Sequence, residues 1–445
     1  MLLSDPASLQ PAAQRLPAFL RKRASLIVLA VLLHVVLGVA AYAVLYTFGI
    51  IPHLPSDQNL LTWDAGLFYR LSQTGYDDPT NGINAFFPLL PLVWHFAGFS
   101  ATTMSIVNAC CAWLGTGLLA WGFRLSFRQT LVVLSTPMLF FTLVPYAEAF
   151  FFLWSALMLV GMHRQRQWLV VVGLLGACLS RSAATLFVPA YVFAELLWWG
   201  QPSGRVSVVR LVTGLLAIMA AVGSVMFAQY QSHGDALAFY NVHELWQHKI
   251  RLPEQVLYSS AGINVLWLDA LGVLVALLGL VACAVLGLRW LRHSRARQQE
   301  LGGLPSRAVL FSLGYCVGAG FFIVFYQGGD LVGLARYILA SPFFVVLLAW
   351  IWSLPTRSQR WLLAIVLGGG LLVVLAMGGI WRFSSFYPGQ AAVYFALFLL
   401  YALVHLAVSS NAVRWYREAA TGLYALNLLV MVYLFVLFTQ GIWVN

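Results

Sequence analysis

Long apolar runs, separated by short polar segments, recur along the whole chain. Most of them approach the roughly 20 residues that an α-helix needs to cross about 30 Å of hydrocarbon. The pattern predicts an all-α fold, a polytopic membrane protein with about 13 transmembrane helices. The predicted spans are residues 24 to 50, 102 to 122, 129 to 145, 147 to 163, 167 to 180, 183 to 199, 207 to 230, 263 to 291, 307 to 326, 334 to 353, 361 to 381, 389 to 408 and 420 to 443.

Two polar segments are much longer than the others, residues 51 to 101 and 231 to 262. Because both fall on the same side of the membrane in the predicted topology, we name them the first and second outer loops. We expect short interfacial helices in the first outer loop. The remaining connections are tight, so residues 1 to 445 are predicted to form a single integral membrane domain.

One pair of apolar runs is shorter than a full membrane span. Residues 167 to 180 and 183 to 199 are separated only by Arg181-Ser182. This spacing predicts two half-length helices or one broken helix. Broken helices at membrane depth are tolerated where they line a cavity.

Charge is distributed unevenly between the two sides of the predicted membrane. The chain carries 25 basic and 14 acidic residues, and only 9% of its residues are charged, against about 25% in soluble domains. If Arg21-Lys22-Arg23 is cytoplasmic, most basic residues fall in cytoplasmic loops and most acidic residues at the outer face. The net charge of +11 is therefore predicted to anchor the cytoplasmic side, with membrane lipid as partner and no nucleic acid.

The first outer loop contains an unusually polar helix candidate around Asp64. One interpretation is structural: Asp64 caps a helix over residues 65 to 74 that ends at Gly75, while Trp63 and Phe68 form a hydrophobic staple. A second interpretation is chemical, because a carboxylate at an apolar boundary can act as a base toward a substrate hydroxyl. Capping uses one carboxylate oxygen and leaves the other free, so the two interpretations are compatible.

This region is part of a longer motif, 61-LTWDAGLFYRLSQTGYDD-78 followed by 85-AFFPLLP-91. The motif resembles the signature of the PIG-V-like mannosyltransferases, the family of the second GPI mannosyltransferase and its bacterial relatives, within the GT-C superfamily. Three shorter segments resemble the family's Tyr-x-Glu helix start, its Arg-Ser segment and its Arg-Tyr segment. They are 145-PYAEAFFFLWSAL-157, 181-RSAATLF-187 and 336-RYILASPF-343.

The resemblance implies the GT-C fold and an inverting glycosyltransferase. Such an enzyme would move mannose from a polyprenyl-phosphate-mannose donor to a glycolipid, glycan or protein acceptor at the outer (periplasmic or lumenal) membrane face. Asp64 takes the position of the catalytic base, with Asp77 or Asp78 as the fallback. By the same resemblance and by their position, the candidate substrate-binding residues are Trp63, Arg70, Tyr76, Asp77, Asp78, Glu148, Arg181, Arg336 and Tyr337.

The leaving polyprenyl phosphate gains negative charge in the transition state, so fixed cations beside it lower the barrier. Arg336 and Arg181 are the candidates, since both are flanked by apolar sequence near the predicted outer face. An arginine in such a place is costly unless it is paired or solvated. The alternative is therefore that either one is a structural partner of Asp330, Glu148 or Asp269.

No metal site and no cofactor are predicted. A lipid phosphate leaves without a nucleotide-binding metal, and no Asp-x-Asp occurs in the sequence. The segment 243-HELWQH-248 resembles a zinc-protease helix, but its histidines stand five residues apart, about 140° around a helix instead of on one face. We interpret it as a polar loop, either solvated or in contact with the acceptor or the donor headgroup.

Several alternatives stay open at this point. A transferase for another lipid-linked sugar, such as arabinose or glucose, fits the same residues. A polytopic transporter or lipid flippase fits the helix count, although such proteins place ionisable residues at mid-membrane in paired segments. A noncatalytic subunit of a glycan pathway would keep the fold without needing Asp64. Because Lys22 and Lys249 are the only lysines, as in GC-rich bacterial genomes, we expect a bacterial inner (cytoplasmic) membrane with the active site facing the periplasm.

Overall fold

The computed structural model describes residues 18–77, 82–199, 204–246, 249–253, 256–292, 304–378, 388–407 and 416–444. These residues form an all-helical body. No strand occurs among them, and their one isolated β-bridge is parallel and joins Tyr258 to Asp330.

The α-helices follow one another with short connections. In chain order they are α1 (Ala18–Thr47), α2 (Asp57–Leu60), α3 (Asp64–Thr74), α4 (Leu89–Ala97), α5 (Ala101–Gly122), α6 (Phe127–Leu134), α7 (Glu148–His163), α8 (Gln167–Ser180), α9 (Phe187–Trp198), α10 (Gly204–His233), α11 (Ala238–Asn241), α12 (Ile263–Arg292), α13 (Arg307–Tyr326), α14 (Leu334–Ile338), α15 (Pro342–Ser353), α16 (Thr356–Ala376), α17 (Pro388–Ala407) and α18 (Tyr416–Thr439). Short 3₁₀ helices cover Ile83–Ala85, Pro137–Thr142, Ser182–Leu186 and Val242–Trp246.

Six of these helices are long and apolar enough to cross a membrane. Their apolar segments are Lys22–Thr47, Ala101–Gly122, Val208–His233, Asn264–Arg292, Arg307–Tyr326 and Glu418–Thr439. Shorter apolar helices, among them α7, α8, α9 and α15, pack between them. The chain is thus a polytopic membrane protein, as its apolar runs predict, and the total of 13 spans stays a prediction.

Two predicted spans are divided at a proline. The span 129 to 145 ends as an α-helix at Leu134 and resumes as the 3₁₀ helix Pro137–Thr142, and the span 334 to 353 is interrupted before Pro342. Proline lacks a backbone N–H and clashes with the carbonyl of the preceding turn, so it starts a helix more readily than it continues one. The break predicted at Arg181 is confirmed, because α8 ends at Ser180 and α9 starts at Phe187.

Helices α7 and α8 pack unusually closely, and glycine makes this possible. A Cβ atom added to Gly173 of α8 would lie 2.6 Å from the backbone nitrogen of Met158 on α7. Since backbone cannot move aside as a flexible side chain does, only glycine fits there. The close pair sets the distance between Glu148, at the start of α7, and Arg181, just beyond the end of α8.

We expect Gly173→Ala to lower the free energy of unfolding by about 1–3 kcal/mol, because the added methyl overpacks the α7–α8 contact. Thermal unfolding of the detergent-solubilised protein measures the change. Gly223→Ala on α10 is the matched control, since nothing lies within 4 Å of a Cβ added there. Equal unfolding midpoints for the two variants would contradict the close packing of α7 on α8.

The two ends of the helix bundle each collect charges. At one end, Glu195 of α9 pairs with Arg307 and with Arg210, and the Nε of Arg210 lies 3.4 Å from the Oε2 of Glu195. The other end gathers residues of the predicted outer face, among them Asp64 and Arg336. The second group borders a cavity and is described next.

Candidate active site

Asp64 is the first residue of α3, and its carboxylate does not cap that helix. The N-cap position is occupied by Trp63, which makes no capping hydrogen bond through its side chain. The predicted capping role of Asp64 is therefore wrong, while the predicted end of the helix at Gly75 is confirmed by its φ of 71°. The carboxylate instead accepts a hydrogen bond from Arg336, with Nη1 and Oδ2 2.9 Å apart.

The backbone entering α3 is strained. Trp63 has a φ of 56°, a conformation that residues other than glycine rarely adopt. Its ring meets the edge of Trp443, near the end of the chain, with centroids 4.7 Å apart. Such strain persists where the surroundings over-determine it and is common at functional sites.

Glu148 stands at the start of α7, where the positive end of the helix dipole favours a carboxylate. Its Oε1 accepts hydrogen bonds from Arg181 and from Arg336. The turn leading to it is held by Asn108 of α5, whose side-chain amide donates to the carbonyls of Val144 (2.6 Å) and Tyr146 (2.8 Å). The predicted helix start is thus fixed by a buried amide two helices away.

Arg336 lies on the short helix α14, which follows a turn at Gly333 with a φ of 84°. Asp269 of α12 accepts the backbone N–H of Ala335 at 3.0 Å and the hydroxyl of Ser259 at 2.6 Å. The second outer loop and α12 therefore hold the helix that presents Arg336. The guanidinium carbon of Arg336 lies 4.7 Å from the ring centroids of both Phe141 and Tyr146, which gives two cation–π contacts.

These side chains form one continuous chain of ion pairs, in the order Asp64, Arg336, Glu148 and Arg181. Two carboxylates and two guanidinium groups balance in charge, which offsets the cost of burying them. The two carboxylates differ in burial: the side chain of Asp64 is 23% exposed, while that of Glu148 is 3% exposed. Asp64 is thus the carboxylate that solvent or a ligand reaches.

Of the partners considered for the two arginines, the structure selects Glu148 for both and adds Asp64 for Arg336. Asp330 accepts the backbone N–H groups of Ser260 and Val332 instead. Arg181 also lies over the ring of Tyr337, 5.0 Å from its centroid. A structural pairing of the arginines is therefore present, and it coexists with their position at a cavity.

A cavity of about 540 Å³, which we call the reaction cavity, opens at this cluster. Its size is within the range of roughly 300–1,000 Å³ typical of small-molecule sites. Every motif segment contributes to its wall. The lining includes Trp63, Asp64, Ala85, Phe86, Phe87, Ala147, Glu148, Arg181, Ser182, Arg336, Tyr337 and Trp443.

Tyr146 is a site residue that the sequence interpretation missed, although it stands inside the quoted 145-PYAE motif. Its hydroxyl oxygen accepts the backbone N–H of Asp64 at 3.2 Å. Burial, and then the negative charge of Asp64, raise the pKa of the phenol well above its usual range. Tyr146 therefore stays protonated and can donate its own proton in a hydrogen bond while it holds the first turn of α3.

Other candidates from the first outer loop lie away from the reaction cavity. Arg70 is on the exposed side of α3 and is not part of the lining. Tyr76 is buried and donates its hydroxyl to the carbonyl of Phe86 at 2.8 Å, and burial raises its pKa. Asp77 is exposed and accepts a hydrogen bond from Thr74 at 3.0 Å. Asp78 lies outside the described residues.

The second outer loop forms part of the cavity wall. His243 and Trp246, from the 3₁₀ helix Val242–Trp246, both line the reaction cavity. The loop is fastened to the first outer loop, because Nε2 of His233 lies at hydrogen-bond distance, 3.1 Å, from Oδ1 of Asn84 and Trp246 packs on Gly82. From the sequence, the segment 243 to 248 is interpreted either as a solvated loop or as a loop in contact with the acceptor or donor headgroup. The placement of His243 and Trp246 at the cavity fits the second interpretation. His248 lies outside the described residues.

A second, apolar cavity of about 440 Å³ lies beside the first outer loop. Helices α1, α5 and α18 line it, together with Leu60 just before α3 and Leu143 just before Tyr146. No charged side chain occurs in its lining within the described part of the chain. Its lining therefore suits a hydrocarbon chain.

The chain was also compared with known proteins. No family model, no curated protein and no solved structure matches it.

Proposed function

We propose that the protein is an inverting glycosyltransferase that moves mannose from polyprenyl-phosphate mannose to an acceptor at the outer face of a bacterial inner membrane. The observation that carries the proposal is the convergence of five separate motif segments on one cavity. Segments around residues 64, 86, 148, 181 and 336 all contribute lining side chains. No feature of the apolar pattern alone requires that convergence.

In the proposed reaction, Asp64 removes the proton of the acceptor hydroxyl. The freed oxygen forms a bond to the anomeric carbon of the donor sugar from the face opposite the phosphate. The bond between that carbon and the phosphate oxygen breaks, and its electron pair leaves with the lipid phosphate. Asp64 suits the role of base because it is the most exposed carboxylate of the ion-pair chain and borders the cavity.

The two arginines are proposed to stabilise the leaving phosphate. Arg181 and Arg336 border the cavity together, and Glu148 holds both in place. Because a fixed charge needs no reorganisation during the reaction, the pairing with Glu148 is itself useful to catalysis. The prenyl chain of the donor is assigned to the apolar cavity, whose lining includes Leu60, four residues before Asp64, and Leu143, three residues before Tyr146.

Ion pairing at one end of the bundle favours this proposal over a transporter. A transporter collects its ionisable residues at mid-membrane, between broken helices of two repeated halves. Here the charges that border the cavity come from loops and helix starts: Asp64 and Glu148 are first residues of helices, and Arg181 follows the last residue of α8.

The proposal is tested by incubating the purified protein in lipid nanodiscs with labelled polyprenyl-phosphate sugars and an extract of host lipids and glycans. Mannose, glucose and arabinose donors are compared. We expect transfer from the mannose donor, and we expect EDTA to leave the rate unchanged, since a lipid phosphate leaves without a nucleotide-binding metal. Transfer only from the glucose or arabinose donor would replace mannose as the assigned donor sugar. Loss of transfer with EDTA would overturn metal independence. No transfer from any donor would overturn the enzyme proposal.

A further inference from the structure

A smaller cavity of about 190 Å³, which we call the side cavity, adjoins the reaction cavity. Ser182, His243 and Tyr337 line both, so they form the boundary between the two. The rest of the wall comes from Thr185, Leu186, Phe239, Tyr240, Phe322 and Tyr326. The side cavity is thus an extension of the proposed site toward the second outer loop.

The lining of the side cavity combines flat rings with polar atoms. The rings of Tyr326 and Phe322 stack 4.7 Å apart at an interplanar angle of 22°, and the edge of His243 meets Tyr326 at 5.7 Å. Tyr240 completes the wall and is 58% exposed, so its ring is reachable from outside. Rings with hydroxyl groups at their rims suit a ligand that has an apolar face and polar edges.

A sugar ring has that character, because the C–H bonds of one face form an apolar surface while the hydroxyl groups point outward. The volume of about 190 Å³ is below the roughly 300–1,000 Å³ of sites for drug-sized ligands and suits one sugar unit. A hydrocarbon chain fits the apolar cavity better, since aliphatic residues such as Val35, Val39 and Ile106 line that one.

The apolar cavity and the side cavity are lined from different helices. Helices α1, α5 and α18 line the apolar cavity. The side cavity is lined by α11, α13 and α14 and by the 3₁₀ helices Ser182–Leu186 and Val242–Trp246. If the donor lipid occupies the apolar cavity, the side cavity is left for the acceptor. This step rests on the proposed function.

From this arrangement we propose that the acceptor is a glycan of at least two sugar units. The reacting unit enters the reaction cavity, and the neighbouring unit stacks in the side cavity on Tyr240 and Tyr326. The side cavity is therefore a specificity site for carbohydrate. It distinguishes a glycan acceptor from a peptide side chain or a simple lipid.

The test compares octyl mannoside with octyl dimannoside as acceptors for the wild type and for three variants. The proteins are held in lipid nanodiscs, because maltoside detergents carry a disaccharide that would compete for the side cavity. We expect the wild type to show a KM about tenfold lower for the disaccharide. Tyr240→Ala is expected to reduce that preference to within about threefold, with kcat and the KM for the donor unchanged. Tyr240→Phe, which keeps the ring, is expected to retain most of it.

Tyr230→Ala is the matched control, because Tyr230 is 57% exposed on α10 and lines neither cavity. Equal KM values for both acceptors in the wild type, or an undiminished preference in Tyr240→Ala, would overturn the inference. So would a Tyr240-dependent affinity for octyl glycerol equal to that for the dimannoside, since this would assign the side cavity to an alkyl chain.

A binding experiment tests the side cavity independently of sugar transfer. Equilibrium binding of methyl disaccharides of mannose, glucose and galactose is measured by tryptophan fluorescence. Disaccharide binding that Tyr240→Ala weakens supports the side cavity even if no donor reacts. If no saccharide binds to the wild type, the side cavity is not a carbohydrate site.

Discussion

Transfer of labelled mannose is expected to fall by at least about a hundredfold when Asp64 is replaced by asparagine, the usual range for loss of a general base being about 10²–10⁴. Asparagine keeps the shape of the side chain, and its carbonyl oxygen can still accept the hydrogen bond from Arg336. What it loses is the ability to take a proton from the acceptor hydroxyl. The expected change is therefore in kcat, with the donor KM nearly unchanged.

Asp77→Asn is the control for this experiment, since Asp77 is an exposed carboxylate of the same loop that does not line the reaction cavity. We expect it to retain near wild-type transfer. Thermal unfolding in detergent establishes that both variants fold. If Asp64→Asn keeps its activity while Asp77→Asn loses it, Asp77 is the base and the assignment made from the cavity lining is wrong.

The local features of this site follow from the sequence to a large extent. The start of α7, the end of α3 and the break after Ser180 are each marked locally: by the carboxylate of Glu148, by Gly75 and by the polar pair Arg181-Ser182. These are short-range effects of helix dipoles, glycine and interrupted apolar runs, and they need no knowledge of distant neighbours.

The pairing of charges does not follow from the sequence in the same way. Asp64 and Arg336 are separated by 272 positions, and only the packing of α3, α7 and α14 brings them together. The cap assigned to Asp64 failed for a related reason: a distant arginine offers the carboxylate a stronger partner than the backbone does. Tyr146 was missed because its role depends on Asp64 itself, whose N–H it accepts.

Pro137 and Pro342 indicate the two helix breaks in the sequence, but the predicted spans are set by the length of the apolar runs. Each apolar run is long enough to span a membrane, so length alone predicts one helix. Proline nevertheless divides each run, and both breaks fall near the candidate site: the 3₁₀ helix that starts at Pro137 contributes Phe141, and α14 contributes Arg336. Interrupted helices here supply the backbone turns that the site needs.

A second large effect is expected from Arg336, and a pair of substitutions separates its two roles. Arg336→Gln alone should abolish measurable transfer and also destabilise the fold by about 3–5 kcal/mol, because it removes one partner of a buried ion pair. This result alone would not tell a phosphate-binding arginine from a structural one. The side chain of Arg336 is only 7% exposed and contacts both Asp64 and Glu148.

The double variant Glu148→Gln with Arg336→Gln removes one negative and one positive charge and so restores the electrical balance of the cluster. We expect the unfolding midpoint to recover toward that of the wild type while transfer stays at least about a hundredfold down, since a fixed charge opposite a developing anion is worth about 10²–10³ in rate. Transfer and thermal unfolding are measured on all four members of the cycle. If transfer recovers together with stability, Arg336 serves only to neutralise Glu148, and the leaving phosphate is stabilised by Arg181 alone; if neither recovers, the buried charges are needed to define the fold around the cavity.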